Sequence, residues 1–237
     1  MRQNRHPHEV RPITITPGYS RHAEGSALVA WGHNKVLATL TIENKLPPHL
    51  RMKGKQKEGW LTAEYSLLPR STGERSQRER LYAGGRTQEI QRLIGRALRS
   101  VTNLGLFTNQ TLTLDIDVIE ADGGTRCAGI VGAYAALHDG ATRLIKAGKL
   151  SEWPLTHELG AVSVGVVNGV QLVDLEYSED VVAEVDLNVV ATSDGYLVEV
   201  QGGGEGKPVR ADTYVHLVAA GIGAVQDILA AVRAALK

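Results

Sequence analysis

The chain has 237 residues, of which 43% are hydrophobic, and its formal net charge is +0 at pH 7. Its single cysteine, Cys127, excludes a disulfide framework. The N-terminus lacks an apolar signal-peptide core, and no apolar run reaches membrane-spanning length. We therefore expect a cytoplasmic protein without membrane contact, built as one large domain or two small lobes.

The first half of the chain has the pattern of strands followed by helices. In chain order the pattern predicts two strands in 27–42, loops at 45–60 and 70–85, a helix at 87–104, a strand at 111–119, and a helix N-capped by Thr125. The second helix is apolar nearly all round, so we expect it to be buried.

The second half begins after a polar link around residues 148–160. It predicts a hairpin with the tight turn Asn168-Gly169, a second hairpin with the turn Asp194-Gly195, a loop at 202–208, and a final helix capped by Asp212 or Thr213. The two halves thus echo each other as strands followed by a helix. The predicted fold class is α+β, with helices packed on mixed or antiparallel sheets.

Charge is distributed unevenly along the chain. Residues 70–99 carry eight arginines against three glutamates, and residues 51–57 carry four more basic residues. Residues 174–205 carry nine acidic residues and no lysine or arginine. This split indicates a nucleic-acid partner, although two solvated faces that neutralise one another would give the same counts.

The segment DGGTR, residues 122–126, joins a predicted strand to a predicted helix. Glycines at a helix N-terminus allow backbone N–H groups to bind an anion. Thr125 adds a hydroxyl, and Arg126 adds a forked charge-assisted contact. An ordinary turn with a helix cap is the alternative, since the segment lacks the lysine of a P-loop.

Arginines also mark the first predicted helix. Arg86 follows two glycines at the helix start, where it can converge with Arg126 on one anion. Arg92, Arg96 and Arg99 form a stripe at helical spacing beside the apolar face. For this stripe we favour a subunit interface or surface ion pairs over direct contact with a substrate.

Two aspartates stand out in the acidic segment, Asp180 and Asp186. Six residues of straight strand span about 20 Å, so one metal ion binds both only if the chain bends between them. Mg²⁺ requires only one or two carboxylates together with substrate oxygens and water. A solvated acidic strand is the alternative.

Seven segments in order resemble the RNase PH family of phosphate-dependent 3′ exoribonucleases. They are ITITPGYSRHAEGSALVAWG (13–32), GWLTAEYSLLPRSTGERSQRE (59–79), GRTQEIQRLIGRALR (85–99), DIDVIEADGGTR (115–126), AVSVGVV (161–167), LEYSEDVVAEVDLNVV (175–190) and EVQGGGEG (199–206). The resemblance covers nearly the whole chain. The chain departs from the family at Gly203-Gly204, where Thr-Ala is usual, at Val185, and at 105–110.

The resemblance assigns roles to specific residues. It implies that Arg86, Gly124, Thr125 and Arg126 bind inorganic phosphate as the attacking co-substrate. It implies that Asp180 and Asp186 are catalytic and hold a divalent cation, Mg²⁺ or Mn²⁺, with Asp180 as metal ligand or general acid. It also implies that an arginine-rich loop guides RNA, through Arg70, Arg75 and Arg78.

The resemblance further implies a fold, an activity and an assembly. The expected fold is the RNase PH / ribosomal protein S5 domain 2-like fold, one domain over 1–237 with two βαβα-like halves at about 1–148 and 158–237. The expected activity is trimming of tRNA precursors, reversible to nucleotide addition, by a homo-hexameric ring of dimers. A non-catalytic exosome-type ring subunit and a hydrolytic nuclease are the alternatives.

Overall fold

The computed structural model describes Arg2 and residues 5–51, 58–79 and 83–237 of the chain. Almost all of the basic segment 51–57 therefore lies outside the described residues. The described part is an α+β fold in which two β-sheets enclose a central helix. The predicted fold class is confirmed.

The first sheet contains five strands. They are β1 (Ile13–Pro17), β2 (Gly25–Trp31), β3 (Asn34–Glu43), β4 (Trp60–Leu67) and β5 (Thr111–Glu120). Their order in the sheet is β1-β2-β3-β5-β4, and only the β4–β5 pair is parallel. A one-turn helix, α1 (Pro48–Arg51), precedes β4. The helix α2 (Gly85–Ser100) connects the two parallel strands and packs on β4.

The second sheet is antiparallel throughout. Its strands are β6 (Leu159–Val167), β7 (Val170–Val173), β8 (Val185–Thr192) and β9 (Leu197–Gly204), in the order β7-β6-β8-β9. Asn168 and Gly169 have φ values of 50° and 75°, so the first predicted hairpin turn is confirmed. The one-turn helix α4 (Tyr177–Asp180) lies between β7 and β8.

The central helix is α3 (Thr125–Lys146), which packs on β2 and β3 of one sheet and on β6 of the other. Its alanines and glycines allow this close approach, since Gly132 lies against Val29 and Ala38. Nearly all its residues up to Leu137 are buried, as predicted. The core is therefore continuous between the two sheets.

The last helix, α5 (Ala211–Ala235), covers the second sheet and also contacts β1. It contains an 18-residue window of mean hydropathy 1.7, of which 39% is buried, so by length and composition it is apolar enough to cross a membrane. The expectation that no segment reaches that length is therefore wrong for α5. Its buried residues, including Leu217, Ile228 and Leu229, face the protein core.

The structure corrects several element predictions. The predicted order omits β1, β4 and α4. The helix predicted at 87–104 ends at Ser100, and a 3₁₀ helix follows at Leu104–Phe107. The loop predicted at 202–208 begins too early, because residues 202–204 belong to β9 and pair with residues 185–187 of β8. The final helix starts at Ala211 with Arg210 as N-cap.

Candidate active site

A left-handed turn joins β5 to α3. Gly123 and Gly124 have φ values of 66° and 71°, a conformation that glycine adopts without steric cost. Gly124 is the N-cap residue of α3, so the prediction that Thr125 is the cap is wrong. The turn leaves the first N–H groups of a long helix available to an anion, and no acidic side chain lies in the first helical turn.

Thr125 is instead the first residue of α3, and a buried tyrosine fixes its hydroxyl. The Tyr65 hydroxyl, on β4, donates a hydrogen bond to Oγ1 of Thr125 at 2.9 Å. Burial raises the pKa of Tyr65, so its proton is retained. Because Oγ1 of Thr125 accepts this bond, its own proton is free for a further acceptor.

Arg126 and Arg86 supply positive charge beside the turn. Arg126 lies 3.7 Å from Glu89 through Nη2, and its Nε is buried without a hydrogen-bond partner among the described residues. Arg86 lies in the first turn of α2 and is exposed. Both guanidinium groups act electrostatically on Tyr65 and on the aspartates described next. The convergence of the two arginines on one anion stays a prediction.

Asp180 and Asp186 lie on different elements, with the chain bent between them. Asp180 ends α4, whereas Asp186 lies on β8 opposite Gly165 and Gly203. Burial, strengthened by the charge of Asp180, raises the pKa of Asp186 to about 6. Burial also raises the pKa of Asp180. Because α4 and β8 meet at a bend, the chain has the bend that joint metal binding by the two aspartates requires.

The two aspartates fit a divalent cation bound together with a substrate. Oδ1 of Asp186 is buried and has no hydrogen-bond partner among the described residues. No group of three or more histidine, cysteine or acidic side chains that could hold a metal occurs among the described residues. Two carboxylates suffice for Mg²⁺ when phosphate oxygens and water complete its coordination.

The predicted RNA-binding arginines Arg70, Arg75 and Arg78 are exposed on the segment between β4 and α2. In the stripe on α2, Arg96 forms a 2.7 Å ion pair with Glu199 of β9. Arg99 lies 4.7 Å above the Trp60 ring and donates to the Leu61 carbonyl, so it binds within its own chain. Arg92 is exposed. Their roles in binding RNA or a subunit stay predictions.

Sequence reasoning missed residues that reach the site from distant parts of the chain. Tyr65 belongs to the unpredicted strand β4, and Glu205 follows β9 and acts electrostatically on both aspartates. Arg11 donates hydrogen bonds both to the glycine turn, at the Asp122 carbonyl, and to the acidic segment, at the Asp174 carboxylate. No local signal in the sequence marked Arg11 or Asp174 as part of the site.

The fold and the site together combine an open helix N-terminus and two arginines with paired carboxylates, an arrangement suited to a class of enzyme that acts on anions. The chain belongs to the 3′ exoribonuclease family: the model of the family's domain 1 matches residues 9–141, and that of domain 2 matches residues 157–223. It is 53% identical over 219 residues to ribonuclease PH of Deinococcus radiodurans, covering 92% of this chain and 88% of the relative.

Solved structures share the fold. Rice (Oryza sativa) Rrp46 superposes with a TM-score of 0.77 at 22% identity, covering 99% of both chains. The Archaeoglobus fulgidus exosome with RNA bound to the active site superposes with a TM-score of 0.80 at 21% identity, covering 95% of this chain and 89% of the other. At these identities the likeness concerns the fold alone.

Proposed function

We propose that this chain is a phosphate-dependent 3′-to-5′ exoribonuclease that trims tRNA precursors and releases nucleoside diphosphates. Membership of the 3′ exoribonuclease family and the identity to ribonuclease PH support this activity. The observation that carries it is that two arginines, Arg86 and Arg126, act electrostatically on the half-buried carboxyls of Asp180 and Asp186. Phosphate and RNA are both anions, so neutralising their charge is the main catalytic requirement.

The phosphate nucleophile would lie at the start of α3. The N–H groups after Gly124, the Thr125 hydroxyl and the two guanidinium groups would hold and orient it. Phosphate is already ionised at neutral pH, so the attack needs no general base. A phosphate oxygen bonds to the phosphorus of the terminal phosphodiester, the bond from that phosphorus to the 3′-oxygen breaks, and a nucleoside diphosphate leaves.

The 3′-oxygen of the shortened RNA must take up a proton as the bond breaks. The raised pKa values of Asp180 and Asp186 allow this pair to hold a proton at higher pH than ordinary aspartates do. In the alternative role the two carboxylates, in their ionised form, would hold a divalent cation, Mg²⁺ or Mn²⁺, which would supply charge stabilisation at the scissile phosphate. The reaction is reversible because the bonds made and broken are of similar energy.

RNA would approach along the arginine-rich segment that contains Arg70, Arg75 and Arg78. Exposed arginines bind the RNA backbone with little sequence preference and with strong salt dependence. We further propose a homo-hexameric ring of dimers in the cytoplasm, with Arg92 and Arg96 at subunit contacts. Arg99 is engaged with Trp60 and Leu61 and contributes to the stability of the α2–β4 packing.

The test is a product assay on a tRNA with a short 3′ extension, with and without inorganic phosphate. Phosphate-dependent release of nucleoside diphosphates is expected. Nucleoside monophosphates formed without phosphate would identify a hydrolase, and bound RNA without any release would identify a non-catalytic ring subunit. Sedimentation of the same sample measures the assembly, with a mass six times that of one chain expected.

A further inference from the structure

Arg11 lies just before β1 and is 7% exposed, and its guanidinium contacts two separate segments of the site. Toward the glycine turn, Nη1 donates to the Asp122 carbonyl at 2.5 Å and Nη2 donates to the Gly123 carbonyl at 3.3 Å. Toward the acidic segment, Nη2 donates to Oδ1 of Asp174 at 2.7 Å and to the Leu175 carbonyl at 3.2 Å. We call this set of contacts the Arg11 clamp.

The two clamped segments also touch directly. A Cβ added at Gly123 would lie 2.7 Å from the carbonyl oxygen of Leu175 and from the backbone nitrogen of Tyr177. The Tyr177 N–H donates to Oδ1 of Asp122 at 3.3 Å. Asn34 supports the turn from the other side, since its Nδ2 donates to the Gly123 carbonyl at 2.6 Å. The backbone of this glycine turn, which we call the phosphate turn, is thus packed against the residues that start α4.

The anionic end of the clamp is Asp174, which is 1% exposed. It accepts from Nε of Arg11 at 3.0 Å, from Arg5 at 2.9 Å and from the Trp31 indole N–H at 3.0 Å. Asp174 also has a positive φ of 57°, a backbone conformation that these hydrogen bonds hold in place. A buried carboxylate with this many donors is a fixed anchor for the chain that follows it.

A second set of arginine contacts forms ion pairs with Glu179, the residue before Asp180. Nε of Arg2 lies 2.6 Å from Oε1 of Glu179, and Arg5 lies 3.4 Å from Oε2 of the same side chain. Glu179 also closes the capping box of α4 with Glu176. Asp180 therefore follows a side chain that is buried and paired on both oxygens.

We propose that Arg11 is a positioning residue that holds the phosphate turn and the acidic segment at a fixed separation, so that bound phosphate meets Asp180 and Asp186. This inference rests on the proposed function. The phosphate contacts lie on α2 and α3, whereas the aspartates lie on α4 and β8. Arg11 contacts both units without belonging to either, and a misplacement of about 1 Å between reacting groups costs about 10²-fold in rate.

Arg11→Lys tests this role, because one ammonium group keeps the charge beside Asp174 but cannot reach all the carbonyls that the guanidinium fork reaches. We expect kcat for diphosphate release to fall about 30- to 100-fold. KM for phosphate should stay within about threefold, because Thr125, Arg126 and the helix N-terminus are intact. Hydrogen–deuterium exchange should become faster in both clamped segments, 122–128 and 175–181.

Asp174→Asn is the second variant, should Arg11→Lys fail to fold. It keeps the shape of the side chain and one acceptor oxygen, and the same pattern is expected with a smaller loss of kcat. Leu229→Ala is the control, because it opens a cavity under α5 and lowers Tm without touching the turn. It should leave kcat within twofold when assayed below its Tm.

The outcomes separate the clamp from the activity. A wild-type kcat in Arg11→Lys, or a rise in KM for phosphate with unchanged kcat, would overturn the positioning role. Unchanged exchange at 122–128 and 175–181 would overturn it as well. If the wild-type chain shows no phosphate-dependent release, the proposed function fails, and the exchange data alone decide whether Arg11 ties the two segments together.

Discussion

The Tyr65 hydroxyl and Oγ1 of Thr125 are 2.9 Å apart, although 60 residues separate them in the chain. The bond joins an inner face of the first sheet to the first residue of the central helix. It turns the threonine proton away from Tyr65, and so it connects a core strand to the chemistry proposed at the turn.

Replacing Tyr65 with phenylalanine should weaken phosphate binding specifically. The lost hydrogen bond is worth about 1 kcal/mol, so KM for phosphate should rise about fivefold with kcat within twofold. Steady-state kinetics at varied phosphate measure this. Tyr134→Phe is the matched control, because Tyr134 lies on α3 like Thr125 but away from the turn. An unchanged KM would mean that Thr125 does not donate to phosphate.

Arg126→Ala should abolish phosphorolysis but leave RNA bound. Removing a preorganised charged donor costs about 10²- to 10³-fold in kcat. The RNA dissociation constant, measured by fluorescence anisotropy without phosphate, should stay within about threefold. Arg233→Ala removes an exposed arginine of α5 that pairs with Glu158, and it should change neither quantity. Phosphorolysis that survives Arg126→Ala would refute the phosphate assignment.

Asp186→Asn should stabilise the fold while it destroys activity. Burial raises the folded-state pKa of this carboxyl from 3.8 to about 6, so the folded protein holds a proton that the unfolded chain has lost between these pH values. The contribution of Asp186 to stability is therefore favourable below about pH 4 and is lost as the pH rises through about 6.

The asparagine does not titrate, so Tm of the variant should exceed that of the wild type by about 2–6 °C at pH 8. The difference should vanish near pH 4, where the wild-type carboxyl is protonated. Calorimetry across this pH range measures it. Asp227→Asn, at an exposed position on α5, should show no such pH-dependent gain. A variant less stable than the wild type at pH 8 would contradict the burial argument.

The exposed arginines between β4 and α2 should account for part of the salt dependence of RNA binding. Arg75→Ala and Arg78→Ala should each weaken binding and reduce the slope of log K against log salt by about 0.7. Titrations at several salt concentrations measure the slope. Arg210→Ala, an exposed arginine that pairs with Asp212, is the control. Slopes equal to that of the control would exclude these arginines from the RNA path.

Local signals in the sequence predicted the hairpins and the central helix. An Asn-Gly pair at 168–169 specifies a tight turn with positive φ, and a run of small apolar residues specifies a helix buried on all sides. β4 was missed although LTAEYSL alternates apolar and polar residues, whereas α4 has only one turn, too short to show a helical period.

In the site, too, local sequence signals predicted some residues and not others. Arg126 and Asp186 lie in short segments whose composition indicates their chemistry. Arg11 and Asp174 are 163 residues apart, and neither is unusual in its own neighbourhood. Their pairing exists only after both sheets have formed around α3, so no local pattern encodes it.

The contact between α5 and β1 has a consequence for biosynthesis. Among the described elements β1 is the first strand to leave the ribosome, and α5 leaves it after all of the strands. The face of β1 that α5 covers is therefore shielded from water only once α5 has been synthesised. The native packing of the N-terminal half is completed only after α5 has been synthesised, and a ribosome that stalls before residue 211 leaves the face of β1 that α5 covers exposed to other chains.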